Sequence, residues 1–187
     1  MTHSVSPFAQ FACIYAGNCG MLVVPQRRRC FLKHLFYYDT VIGRIGIAEE
    51  NGAVTDILFN GAELPGAVVK ETGIIVKAMG QLDEYFNGKR KVFDLPVCVK
   101  GTPFQEAVWE ALKTIPCGET RSYKDIAVQI GKAKACRAVG MANNRNRVPI
   151  VIPCHRVIGS GGRLVGYGGG LDIKRKLLAI EGIIIDK

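Results

Sequence analysis

The sequence predicts a two-part fold, an α/β N-terminal domain followed by a mostly helical C-terminal domain built around a helix-turn-helix. Three observations carry that prediction. An Asn51-Gly52 pair, the signature of a type I′ hairpin turn, separates two apolar runs and is followed by apolar residues at helical spacing. Two helical segments flank Gly131 at the spacing of a helix-turn-helix. Basic residues are also concentrated in the second half. Residues 1–99 hold ten Lys and Arg against nine Asp and Glu, whereas residues 100–187 hold fifteen against seven.

Each element has its own justification. Residues 1–34 are read as an extension, poorly ordered and adding little to the fold. Their apolar stretch, Phe8 to Val24, is interrupted by Gln10 and Asn18 and is too short and polar to span a membrane. No basic residue precedes it, as a signal peptide would require. The first domain is assigned to residues 35–98. Leu35 to Tyr38, Ile42 to Ala48 and Val54 to Phe59 form its strands, the last two joined by Asn51-Gly52. Ile75, Ala78, Met79, Leu82, Tyr85 and Phe86 mark the apolar face of a helix that Asn87-Gly88 stops. Phe93 to Val97 is read as one more strand.

The second domain is assigned to residues 99–187. Thr102-Pro103-Phe104-Gln105 combines a cap, a proline at the first helical position and a capping-box glutamine. Phe104, Val108, Leu112 and Ile115 give that helix its apolar face, and Pro116-Cys117-Gly118 ends it. Ser122, with Asp125 three residues on, caps a helix from Tyr123 to Ile130. A second helix runs from about Ala133 to Asn143. Its residues are small apart from Arg137. Small side chains let a helix lie close in a minor groove while one arginine reaches the base stack. They equally suit a helix packed tightly on a neighbour, and the charge asymmetry favours DNA. A glycine-rich loop, Gly159 to Gly170, and a helix from Asp172 to Ile180 complete the chain.

The bulk properties narrow the function classes. A hydrophobic content of 48% and a charged content of 22% are those of a soluble globular protein. Seven cysteines, an odd number without framework spacing, predict a reducing compartment, here the cytoplasm. Cys13, Cys19, Cys30 and His34 match no compact zinc module, so neither metal nor cofactor is expected. Cys98, Cys117 and Cys136 are read as packing residues.

Cys154 is different. It stands in Pro153-Cys154-His155 after the apolar run Val148 to Ile152, read as a stiff, dry and extended stretch. A cysteine that reacts needs a basic neighbour, because the thiolate is the nucleophile and a free thiol is mostly protonated at neutral pH. His155 is the natural proton acceptor. Adjacent side chains on an extended segment diverge, so a bridging water is expected between the two.

Several elements stand in fixed order: Ser122-Tyr123, Arg137-Ala138-Val139-Gly140, Asn146, Ile152-Pro153-Cys154-His155-Arg156-Val157, Gly166-Tyr167-Gly168-Gly169-Gly170-Leu171 and Leu177-Leu178-Ala179-Ile180-Glu181-Gly182. Together they closely resemble the O6-alkylguanine-DNA alkyltransferases, also called methylated-DNA–protein-cysteine methyltransferases. The resemblance is strong over residues 102–182 and looser over 35–98. It implies a ribonuclease H-like N-terminal domain and a winged helix-turn-helix C-terminal domain. It also implies that an O6-alkyl group passes from a flipped guanine, and from O4-alkylthymine, to the protein's own cysteine, once and irreversibly.

On that resemblance Cys154, His155, Glu181 and Asn146 are the catalytic group, with Glu181 orienting His155 and Asn146 fixing the turn beneath the site. Tyr123, Val157, Tyr167, Gly168, Gly169 and Lys174 bind the substrate base. Arg137, Ala135, Ala138 and Asn143 meet DNA, with Arg137 filling the gap left by the extruded nucleotide. The implied partner is double-stranded DNA carrying alkylated guanine, bound by a monomer with no membrane and no obligate protein partner. Arg147 follows Asn146 where the family usually has proline, which predicts a less rigid loop. A non-catalytic lesion-binding protein, a cysteine hydrolase and a helix-turn-helix gene regulator are the competing classes. The presence of Cys154, the basic half and the scarcity of base-reading side chains weigh against them in turn.

Overall fold

The Asn51-Gly52 turn organises the N-terminal half of this computed structural model, which describes residues 32–185. Asn51 and Gly52 take φ of 56° and 77°, the two left-handed residues that a type I′ turn needs. They join β2 (Gly43–Glu50) to β3 (Ala53–Phe59), and β2 pairs antiparallel with β1 (His34–Thr40) as well. A two-residue strand, β4 (Val68–Val69), adds in parallel to β1, giving the order β3-β2-β1-β4. So short a strand carries no alternation that a sequence pattern can reveal.

His34 belongs to β1 and its Nδ1 meets Glu49 Oε1 at 2.7 Å, so the sheet begins one residue before the predicted boundary. Cys13, Cys19, Cys30 and the Phe8 to Val24 stretch lie outside the described residues. Among the described residues, no helix is long and apolar enough to cross a membrane.

Helix α1 (Gly73–Phe86) lays Ile75, Ala78, Leu82 and Tyr85 against the sheet, all buried. Met79 and Phe86 from the same stripe are only partly buried. Buried Gln81 exchanges two 2.9 Å hydrogen bonds with the backbone of Asp94 and so anchors the segment that follows. That segment is not the strand expected over Phe93 to Val97. Pro96 lacks an N–H and cannot continue a ladder. Only an isolated bridge between Val54 and Val97 forms, with Val54 N donating to Pro96 O at 2.8 Å and Cys98 N to Val54 O at 2.9 Å.

In the C-terminal half, α2 (Pro103–Lys113) starts with the predicted capping box, Thr102 and Gln105 bonding reciprocally. It buries Val108, Leu112 and also Trp109, whose Nε1 donates to Ala142 O at 2.9 Å. A Cβ at Gly101 would come within 2.7 Å of that indole, so the chain entering α2 needs a glycine there. Helix α3 (Tyr123–Gln129) carries a second capping box from Ser122 and Asp125. Helix α4 (Cys136–Asn144) begins three residues later than expected, so the turn between the two helices is longer than Gly131 alone. Cys98 is exposed rather than packed, while Cys117 and Cys136 are half-buried. Two-residue strands β5 (Arg121–Ser122) and β6 (Val157–Ile158) pair in parallel, and α5 (Leu171–Ile180) closes the fold.

The two halves share one continuous core. Ile47, Val54, Ile75 and Leu82 from the first belong to the same buried cluster as Val108, Leu112, Val139 and Ile152 from the second. The chain between α4 and β6 is thereby held between sheet and helices, and it carries Cys154.

Candidate active site

The apolar run before Cys154 is a tight turn, not an extended segment. Ile152 N donates to Val148 O at 3.0 Å, and buried Ile150 sits at φ 75°. A β-branched residue in the left-handed region is strained, and such strain persists only where the surroundings over-determine it. Asn146 supplies part of that constraint. Its Oδ1 accepts from Val148 N at 3.0 Å and its Nδ2 donates to Ile152 O at 2.8 Å, clasping the turn from both ends. Arg147, expected to loosen this loop, is instead tied to β3. Its guanidinium meets Asp56 Oδ1 at 2.6 Å, and its carbonyl accepts from Ile57 N at 2.7 Å.

Beyond the turn, Cys154–Arg156 form a single turn of 3₁₀ helix. The divergence argued from an extended backbone therefore does not apply. Cys154 is only 3% exposed, yet it lines a cleft of about 420 Å³ together with Asn146, Arg147, Tyr167, Gly168 and Phe59. Burial pushes its thiol above the ordinary value, opposed by the polar groups of Asn146 and Tyr167 and by the Lys174 charge. The Tyr167 hydroxyl is buried without a full hydrogen bond, yet it lies near enough to the sulfur to favour ionisation. At rest the sulfur is therefore a protonated thiol, which must lose its proton before it can attack.

His155 is fully buried and its Nε2 lies 2.8 Å from Glu181 Oε1. Burial lowers its pKa, outweighing the upward pull of the Glu181 carboxylate, so the imidazole is neutral. The hydrogen-bond network assigns the tautomer. Glu181 accepts at Nε2–H, leaving Nδ1 as a buried acceptor that has no partner among the described residues.

Glu181 caps the C-terminal end of α5, where a carboxylate faces the unfavourable end of the helix dipole. Compensation comes from four directions. Arg156 Nε and Nη2 each donate to it at 2.9 Å, Tyr85 OH at 2.7 Å, His155 at 2.8 Å and Gly118 N at 3.3 Å. Burial alone would raise its pKa, but these hydrogen bonds hold it well below the usual carboxylate range.

Tyr85 and Arg156 are members of the site that the sequence reading missed. Tyr85 fits the apolar stripe of α1 and carries no further mark. Arg156 lies inside the Cys-His motif, and the buried carboxylate demanded by its neighbour was the available signal.

The remaining residues divide into three groups. Tyr123 OH donates to Val165 O at 3.3 Å, and burial, with the Cys154 sulfur nearby, raises its pKa. Lys174 is fully buried. Burial pulls its pKa down to about 8, and its Nζ donates to Val157 O at 2.6 Å and Val165 O at 3.0 Å. It therefore ties together two loop segments rather than standing free in the pocket. Val157 N–H is committed to Cys154 O, and its carbonyl keeps one further acceptor position. Gly169 packs so closely on Phe59 that a Cβ would meet the ring at 2.6 Å, and Phe59 stacks at a tilt on Tyr167, centroids 5.7 Å apart.

On α4, Arg137 and Ala138 are exposed and Ala135 is half-buried at the helix start. Asn143 departs from its expected place on the DNA-facing side. Its side chain is buried and Nδ2 donates to Cys154 O at 3.2 Å, because position 143 falls on the same inward face as Val139 and Ala142. Its neighbour Asn144 lines the cleft, so the helix ends at the rim beside the cysteine.

Comparison with known proteins gives a consistent result. Residues 34–99 match the family described as 6-O-methylguanine DNA methyltransferase, ribonuclease-like domain, and residues 103–183 match its DNA binding domain. The chain is 49% identical to a methylated-DNA–protein-cysteine methyltransferase of Methanosarcina barkeri over 152 residues, 78% of this chain and 96% of that one. It is 48% identical to the constitutive methyltransferase of that name from Bacillus subtilis, covering 78% and 93%. A crystal structure of Mycobacterium tuberculosis OGT in complex with DNA superposes with a TM-score of 0.75 at 44% identity, covering 79% and 92%.

Proposed function

The chain belongs to the methylated-DNA–protein-cysteine methyltransferase family, with a ribonuclease-like sheet domain followed by a helical DNA-binding domain, and from that premise we propose that it repairs O6-alkylguanine in double-stranded DNA by moving the alkyl group onto Cys154. The single observation that carries the reading is the set of groups around one cysteine. A buried thiol lines the cleft, and the neutral imidazole of the next residue has no partner on Nδ1 among the described residues while its Nε2 meets a fully bonded carboxylate at 2.8 Å.

The chemistry follows from those protonation states. The Cys154 proton passes to His155 Nδ1, through one water where the two do not touch, while Nε2–H stays on Glu181 and the imidazolium is stabilised by that carboxylate. The sulfur attacks the alkyl carbon, forming the S–C bond as the C–O6 bond breaks and its electron pair stays with guanine. Tyr123 is the donor suited to the departing base. An S-alkyl thioether is a poor alkyl donor at neutral pH, so each molecule reacts once. Lys174 holds the carbonyls of Val157 and Val165 in place, and the Val157 carbonyl and the backbone at Gly168 read the base edge.

Helices α3 and α4 with the β5–β6 pair make the winged helix-turn-helix in this reading. Exposed Ala138 lets α4 approach the minor groove, where Arg137 replaces the extruded nucleotide in the stack. Asn143 acts from within, positioning the Cys154 carbonyl.

The test is intact-mass measurement after exposure to a duplex containing O6-methylguanine. One methyl group should appear on the peptide containing Cys154 and be absent in Cys154→Ala. Lesion binding without any adduct would instead support a lesion-flagging protein.

A further inference from the structure

Arg147 occupies the rim of the cysteine cleft, and the chain invests an unusual amount of structure in holding it there. Asp56, 2% exposed in the middle of β3, accepts from Arg147 Nε at 2.6 Å through Oδ1, with Nη2 in ion-pair contact with the same oxygen at 2.6 Å. Its other oxygen is taken by Lys33 Nζ at 2.7 Å and Thr55 Oγ1 at 2.8 Å. The carboxylate is therefore saturated, and two cations share one anion. One positive charge is left over. Lys33 is mostly covered whereas the Arg147 side chain is 49% exposed, so the surplus is presented by the guanidinium. Its Nη1 has no protein partner among the described residues. Asp56, Arg147, Cys154 and Tyr167 are the ionisable residues lining this cleft, and Asp56 is neutralised by its partners.

From this geometry we infer that Arg147 is a phosphate-binding and specificity-determining residue that grips the DNA backbone beside the nucleotide entering the cleft. The inference rests on the proposed alkyl transfer in that cleft. A guanidinium whose one edge is fixed on a buried carboxylate has lost little freedom still to lose, and its open edge matches a phosphate oxygen. A merely structural ion pair needs neither half-exposure nor a place on the rim, and a single carboxylate partner would not need the second cation. Arg147 thus differs from Arg137. One holds the backbone at the mouth of the cleft, and the other fills the stack from the exposed face of α4.

The experiment compares Arg147→Gln and Arg147→Lys with the parent chain on two substrates, a duplex containing O6-methylguanine and the free base O6-methylguanine. The Gln variant should lose about tenfold in transfer rate on duplex at low salt, the scale of one charge-assisted hydrogen bond. Its loss on the free base, which reads only the tie of the turn to Asp56, should be at least about threefold smaller than its loss on the duplex. The slope of log binding constant against log salt should fall by about 0.9, one phosphate contact, and the Lys variant should restore most of it. Equal losses on both substrates, or an unchanged salt slope, would overturn the assignment while leaving the alkyl transfer intact. A parent chain that transfers no methyl group at all would remove the functional reading and this inference with it.

Discussion

Replacing Glu181 by Gln tests the centre of the site, because it keeps the volume and removes the charge. The Glu181 side chain is fully buried, as nearly is Arg156, whose only other partner among the described residues is Ile115 O at 2.6 Å. Hydrogen bonds to an ionised group contribute about 1.5–3 kcal/mol each, and Glu181 accepts five, from Arg156 twice, His155, Tyr85 and Gly118. A glutamine oxygen can still accept some of them. Its amide would confront donors, however, leaving Arg156 charged and unpaired in the interior. The expected loss is that of a broken buried ion pair, about 3–5 kcal/mol, or roughly 6–20 °C in melting temperature for a domain of this size.

Stability and rate should fall together. Without the carboxylate nothing fixes the His155 tautomer or stabilises its protonated form, and methyl transfer should slow by about 10²–10⁴. The pH dependence has a defined sign. A carboxyl held below its ordinary value contributes stability that is fully present above about pH 4.3, its unfolded value, and is lost as pH falls towards the folded one. The gap between parent and variant should therefore narrow on acidification below that point. Thermal unfolding across pH and single-turnover rates on a methylated duplex are the assays. A second variant, Glu181→Gln with Arg156→Met, removes the orphaned charge and should recover part of the stability but none of the rate. A single variant that melts within about 3 °C of the parent and reacts within about twofold would refute the whole account of this cluster.

Two other outcomes are expected. Because burial raises the Cys154 thiol and lowers the His155 imidazole, the thiol–imidazole pair is the resting form between about pH 6.5 and 8.5, so transfer should be nearly flat across that window and decline below it. A tenfold rise per pH unit through the window would mean that a preformed thiolate reacts from an ordinary equilibrium. Arg137→Ala should slow repair in duplex DNA by at least about tenfold and leave the free base within about twofold, since its proposed role is to hold open a stack that the free base lacks; equal rates on duplex for parent and variant would remove it from the flipping step.

Much of this protein is legible without coordinates, for a local reason. The Asn51-Gly52 turn, the Thr102 and Ser122 capping boxes and the α1 stripe depend on residues a few positions apart, so chain chemistry alone decides them. The Cys154-His155 pair is equally visible, because a thiol beside an imidazole marks reactive chemistry, whereas Glu181 joins it in sequence only through the family resemblance. What the tertiary structure decides is everything that crosses the chain. Tyr85 reads as core until α1 brings its hydroxyl within 2.7 Å of Glu181, ninety-six residues away. Arg147 reads as a loosening substitution until β3 brings Asp56 beneath it. The resting charge of the sulfur is likewise invisible in sequence, since burial, not the adjacent histidine, sets it. Local pattern determines which groups exist and how each segment folds; desolvation and long-range pairing determine how those groups ionise and what they can grip.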